Sequence, residues 1–131
     1  MKMITKDTDY AIKALACIAV SPEETVTVKG LSEKLGIPGP FLRKILQVLN
    51  KKGILVSSKG KNGGFSAASS PLEMTVLDII EIFQGPFKLN EHKIKNTKCK
   101  FLKTCRLRNK IDNIGHKVKE ELKAITIGSL I

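Results

Sequence analysis

Between Thr27 and Phe65 the chain holds two short helical patterns joined by Gly36-Ile37-Pro38, then an apolar strand, then Lys59-Gly60-Lys61-Asn62-Gly63-Gly64-Phe65. That order leaves few folds open. Val28, Leu31 and Leu35 mark the inner side of a helix over residues 28–35, and Gly36 stops it. Gly30 inside that helix departs from good helix chemistry, at about 1 kcal/mol relative to Ala. Pro38 and Pro40 flank the start of the next helix, where the N–H groups have no intrahelical partner to lose. Leu42, Ile45, Leu46 and Leu49 then recur at i, i+3, i+4 and i+7 and predict a core-facing stripe. Ile54-Leu55-Val56 reads as a strand and residues 65–68 as its return, with Gly60, Gly63 and Gly64 supplying positive backbone angles at a tight tip. The expected fold is mostly α with a small β-hairpin wing, a winged helix-turn-helix.

Charge points to the partner. Residues 29–61 carry eight Lys or Arg (Lys29, Lys34, Arg43, Lys44, Lys51, Lys52, Lys59, Lys61) against a single acid, Glu33. The whole chain of 131 residues has a formal charge of +11, which favours a polyanion. If the aliphatic stripe of the third helix faces the core, Phe41, Arg43, Lys44, Gln47 and Lys51 face outward. Arg and Gln are the donors that pair with guanine and adenine in a major groove. Lys59, Lys61 and Asn62, on a tip built from Gly60 and Gly63, suit a minor groove or a phosphate row. The expected DNA-contacting set is therefore Pro40, Phe41, Arg43, Lys44, Gln47, Lys59, Gly60, Lys61, Asn62 and Gly63, on double-stranded DNA. The glycine-rich tip lacks the lysine-threonine ending of a nucleotide-binding P-loop and opens no helix. No Ser-His-Asp order, carboxylate pair or Cys-x-x-Cys is present, so the sequence argues against an enzyme.

Around this unit, Thr8 or Asp9 is expected to cap a first helix with Ala11, Ile12, Leu15, Ala16 and Ala19 on one side and Cys17 packed among them. A further amphipathic helix starts at Thr75 and stops at Gln84-Gly85-Pro86. Beyond a lysine-rich stretch, Leu107, Ile111, Ile114, Val118, Leu122 and Ile125 recur every three to four residues. This long stripe has no obvious partner within the chain, which predicts pairing with a second copy. The division is residues 1–86 as the DNA-binding unit, 87–104 as a cysteine-bearing loop, and 105–131 as a dimerisation helix and tail. The start of the chain reads as no signal peptide, and no stretch approaches the ~20 apolar residues of a membrane span. A soluble cytoplasmic homodimer with reduced cysteines is expected.

Four segments taken in order carry a family resemblance: Thr8-Asp9-Tyr10-Ala11-Ile12-Lys13-Ala14-Leu15, Phe41-Leu42-Arg43-Lys44-Ile45-Leu46, Gly60-Lys61-Asn62-Gly63-Gly64-Phe65, and Thr75-Val76-Leu77-Asp78-Ile79-Ile80 with Gly85-Pro86. Together they resemble the Rrf-two family of bacterial transcription regulators. That resemblance implies a winged-helix homodimer joined through its long C-terminal helix, most often a repressor, acting on a palindromic operator. It also implies a sensor. Cluster-binding members carry three cysteines in the loop before the dimer helix; here Cys99 and Cys105 match the second and third, and His92 stands near the place of the first. Relatives recruit an acid from the first helix of the second subunit, a position matched by Asp9. The implied cofactor is an Fe–S cluster, [2Fe–2S] over [4Fe–4S], since imidazole replaces thiolate in Rieske-type [2Fe–2S] centres.

Read as residues alone, Cys99 and Cys105 lie six apart in a segment of poor helical periodicity, among lysines and arginines that favour thiolates. A cluster, a thiol switch and a loop without cofactor all fit that pattern. Two functions are therefore open: a regulator sensing redox state, nitric oxide or iron–sulfur status through a cluster, and a cofactor-free regulator switched by thiol oxidation or by a protein partner. His116, in the last helix, has no assigned role.

Overall fold

The computed structural model describes residues 3–60, 63–89 and 106–131. They form α1 (Lys6–Val20), α2 (Val28–Leu35), α3 (Gly39–Lys51), β1 (Leu55–Ser58), β2 (Gly64–Ala67), α4 (Val76–Gln84), α5 (Arg106–Ala124) and a closing 3₁₀ turn (Ile127–Leu130).

The cap of α1 lies three residues before Thr8, the first of the two expected caps. Thr5, with extended backbone, is the N-cap, and its hydroxyl accepts from the Thr8 N–H. Thr8 is instead fully buried, and its hydroxyl donates to Gln84 Oε1 at 2.7 Å. Asp9 lies in the first turn, where a carboxylate favours the positive end of the helix dipole. Both residues have cap chemistry, and the tertiary bond to Gln84 decides between the candidate starts. Ala11, Ala14, Leu15 and Ile18 form the buried face.

The helix-turn-helix is set by its connections. Thr27 caps α2 by accepting from the Gly30 N–H at 3.0 Å. A Cβ on Gly30 would sit 3.1 Å from that same hydroxyl oxygen, so the glycine makes room for the cap. Gly36 takes φ +68° at the end of α2, and the Ser32 hydroxyl donates to the Ile37 carbonyl at 2.6 Å across the turn. Ile37 is thereby pinned into the core beside Leu31, Leu42, Ile45, Leu46 and Leu49. The four stripe residues of α3 are all buried.

The wing is an antiparallel pair with Leu55 opposite Ala67 and Ser58 opposite Gly64. Each strand begins one residue away from its expected start. A third backbone segment joins it: Val26 and Phe65 exchange two N–H···O bonds of 2.8 Å. The chain just before α2 is thus a one-residue strand that ties the hairpin to the helix-turn-helix. The glycines divide their work differently from the expectation. Gly60 has φ +107°, but Gly63 and Gly64 are not in the positive region. A Cβ on Gly64 would lie 2.5 Å from the Val26 carbonyl oxygen, and one on Gly63 the same distance from that of Ser58. Close backbone approach, rather than handedness, requires them.

Thr75 and Asp78 form a reciprocal capping box at the start of α4. This helix has two buried sides. Ile79 joins the main core, while Val76, Leu77 and Ile80 pack with Leu122 of α5, flanked by Val118 and Ile125. The apolar stripe of α5 is therefore partnered within the chain over its C-terminal half, contrary to the expectation that all of it lies free. Sequence periodicity shows which side of a helix is apolar but not which neighbour covers it. Toward the start of α5, Leu107 and Ile114 are 67% and 52% exposed. Past α5 the chain returns to the N-terminal core. Val76 N–H donates to the Ile125 carbonyl at 2.9 Å and Ile127 N–H to that of Met74 at 2.8 Å, and Ile127 is fully buried with Ala11, Leu15 and Ile79.

Candidate nucleic-acid interface and sensor segment

With Leu42, Ile45, Leu46 and Leu49 turned inward, α3 presents Phe41, Arg43, Lys44, Gln47 and Lys51 as exposed residues. Arg43, Lys44 and Gln47 line an open depression of about 660 Å³ whose other wall is α2, with Lys29, Ser32 and Glu33. Pro40 lies at the same mouth. The depression thus offers cationic and amide donors beside one carboxylate, which can accept from a cytosine amino group. Lys59 is exposed where β1 ends, and Gly63 N–H closes the tip on the Gly60 carbonyl at 2.9 Å. Lys61 and Asn62 lie outside the described residues. Since the hairpin is bonded to Val26 and Val26 leads into α2, Lys59 and the α3 donors are held on one continuous backbone-bonded unit.

Phe41 has a neighbour that sequence reasoning missed. The Lys6 ammonium stands 5.8 Å from the centre of its ring and 5.6 Å from that of Tyr10. Tyr10 follows Lys6 at i+4 and was legible as a helical neighbour. Phe41 could be found only from the packing of α1 on α3.

Of the expected sensor residues, His92, Cys99 and Cys105 lie outside the described residues. Asp9 is described: its carboxylate bonds the Lys13 ammonium at 2.8 Å on the exposed side of α1. That hydrogen bond raises the pKa of Lys13 above its ordinary value, with the Asp9 charge adding in the same sense. Cys17 is a free thiol packed partly buried against the core, as expected of a small apolar side chain. Among the described residues no three His, Cys, Asp or Glu come together to hold a metal ion. Residues 86–89 run back over α5, and between them lies a hollow of about 310 Å³ lined by Lys88, Arg108, His116 and Lys119, with Asp112 and Phe87 among the remaining wall. Arg108 Nε is 3.9 Å from Asp112 Oδ2. His116, without a role in the sequence, faces this basic hollow. Among the described residues no helix is long and apolar enough to cross a membrane.

Residues 4–131 match the Rrf2 family, described as an iron-dependent transcriptional regulator. A protein of Aquifex aeolicus named as an HTH-type transcriptional regulator is 35% identical over 132 residues, covering 98% of this chain and 92% of its own. The regulator NsrR of Shouchella clausii is 26% identical over 98% of this chain and 87% of its own. Among solved structures, IscR of T. potens superposes with a TM-score of 0.76 at 24% identity, over 99% of this chain and 85% of its own. CymR of B. subtilis does so at 0.77 and 23%, over 99% and 96%. These two share the winged-helix fold described above. With an unbroken match from residue 4 to residue 131, the chain belongs to the Rrf2 family of transcriptional regulators, whose members bind DNA.

Proposed function

We propose that the chain is a cytoplasmic homodimeric repressor that reads a palindromic operator through α3 and the wing, and that residues 87–104 and the start of α5 form its sensor. The observation that carries the DNA reading is the exposed row Arg43, Lys44 and Gln47 along one depression, on the same bonded unit as Lys59. Arg43 and Gln47 supply base-edge donors; Lys44, Lys59, Lys61 and Asn62 supply phosphate contacts, with Pro40, Phe41, Gly60 and Gly63 shaping the approach. Leu107 and Ile114, seven residues apart and exposed on α5, support a paired helix.

For the sensor, the donor chemistry fits an Fe–S cluster held by Cys99, Cys105 and His92, with Asp9 of the partner subunit as a further ligand. Thiolates carry a negative charge that needs compensation. The basic hollow of Lys88, Arg108 and Lys119, where the described chain leaves α4 and resumes as α5, has the sign to provide it. A bound cluster supplies a redox-active, ligand-reactive centre. The chain's own residues hold it, balance its charge and connect the segment to α1 through Gln84, whose side chain bonds Thr5 and Thr8.

Anaerobic purification followed by iron and sulfide analysis, with footprinting on DNA fragments selected in vitro, tests both halves. Iron, sulfide and a footprint with dyad symmetry are expected. A footprint without dyad symmetry would overturn the dimeric operator reading. Absence of iron and sulfide after reconstitution would replace the cluster with the thiol-switched regulator.

A further inference from the structure

Helix α1 begins with a cation, Lys6, at the end of a helix where the dipole favours an anion. Lys6 is exposed, and its ammonium also has aromatic neighbours. It sits against two rings, Tyr10 from its own helix and Phe41 from the first turn of α3. Its backbone is fixed as well, because the preceding residue, Thr5, caps the helix and donates its N–H to Gln84 Oε1 at 3.0 Å. Phe41 is 49% exposed, next in sequence to Pro40 at the mouth of the recognition depression. A helix lying in a major groove has a phosphate row along each edge, and in helix-turn-helix proteins elements outside the recognition helix cross those rows.

We propose that Lys6, held on the Phe41 ring, is a further DNA contact, binding a backbone phosphate at the groove edge beside the start of α3. This inference rests on the DNA reading above. The phosphate charge would complement both the Lys6 ammonium and the positive end of the α1 dipole. Two acids share that turn: Asp9 is paired with Lys13, and Asp7 is exposed and opposes the contact. A phosphate contact carries no base information, so Lys6 adds affinity and register while Arg43 and Gln47 discriminate.

Salt dependence separates this role from a structural one. Binding of the full chain to a random-sequence duplex about three helical turns long, and to an in vitro selected site, is measured by anisotropy across a salt series. For Lys6→Ala the slope of log Kobs against log salt should shrink by about 0.9 per protomer, with affinity falling by a similar factor on both duplexes. Lys6→Arg should restore the slope, and Asp7→Asn should raise affinity on both. Phe41→Leu should lower affinity while Lys6 keeps part of the slope. An unchanged slope for Lys6→Ala, with wild-type binding intact and base preference still lost in Arg43→Ala, overturns the Lys6 contact alone. Failure of the wild-type chain to bind either duplex overturns the DNA reading and this contact with it.

Discussion

The Thr8 hydroxyl donates to Gln84 Oε1 at 2.7 Å, joining the first turn of α1 to the last residue of α4 across 76 positions of sequence. The same oxygen accepts from the Thr5 N–H at 3.0 Å, and Gln84 Nε2 donates to the Met3 carbonyl at 3.1 Å. One amide therefore ties the start of α1 to the end of α4.

Gln84→Ala removes an acceptor from a fully buried hydroxyl and from a helix-start N–H. Thr8 keeps the Thr5 hydroxyl at 3.0 Å, so the loss is partial. Urea unfolding should show a destabilisation of roughly 1–3 kcal/mol. A change within about 0.3 kcal/mol would mean that water replaces the amide without cost.

Arg43→Ala is expected to lose roughly 1–3 kcal/mol on the selected operator and to relax preference at one base position. Lys59→Ala should weaken binding to all sequences alike and flatten the salt slope. Competition binding against single-base operator variants distinguishes the two patterns. Equal losses on every sequence for Arg43→Ala would remove it from base readout.

The two ends of the long α5 region should respond differently to substitution. Ile127→Ala, in the main core, should cost about 2–5 kcal/mol. Leu107→Ser with Ile114→Ser should leave each folded protomer close to wild type in stability but raise the dimer dissociation constant, read by light scattering over a concentration series. A dimer unaffected by the double substitution would place the subunit contact elsewhere.

Cys99→Ala and Cys105→Ala should each abolish bound iron and sulfide. His92→Ala should weaken retention or shift the potential, and His92→Cys should make the cluster more robust. Asp9→Ala touches no cap, since Thr5 fills that role, so its stability cost should be only the few tenths of a kcal/mol of an exposed i, i+4 pair. An unchanged visible spectrum on Asp9→Ala would exclude it as a ligand, and a changed one would mark it as one. Iron and colour persisting without both cysteines would refute the ligand assignment.

Local patterns made α2, α3 and α4 legible because their signals are short-range. Gly36, the 42-45-46-49 stripe and the α4 stop at Gln84-Gly85-Pro86 each act within a turn or two of helix. What escaped the sequence depends on pairs distant along it. The α1 start is settled by Gln84, the roles of Gly63 and Gly64 by backbone oxygens that a Cβ would strike, and the place of Lys6 by a ring on another helix. The outward face of α3 was legible because its inward face was; the DNA role of the residues on it is a proposal from chemistry. Ile127 carried no signal at all, since a single isoleucine past the end of a helix has no periodicity to betray its burial.

Because Ile127 is buried in one cluster with Ala11, Leu15 and Ile79, and the closing turn packs on α1, a residue past α5 completes a core begun by α1. A ribosome adding about 5–20 residues per second makes Ile127 roughly 5–20 s after Ile18. During that interval the apolar residues of the first helices lack Ile127 as a neighbour. Nascent chains stalled short of residue 122 should therefore remain sensitive to protease, and chains stalled with residue 131 clear of the exit tunnel should resist it. Equal resistance at both lengths would show that the core closes without its final isoleucine.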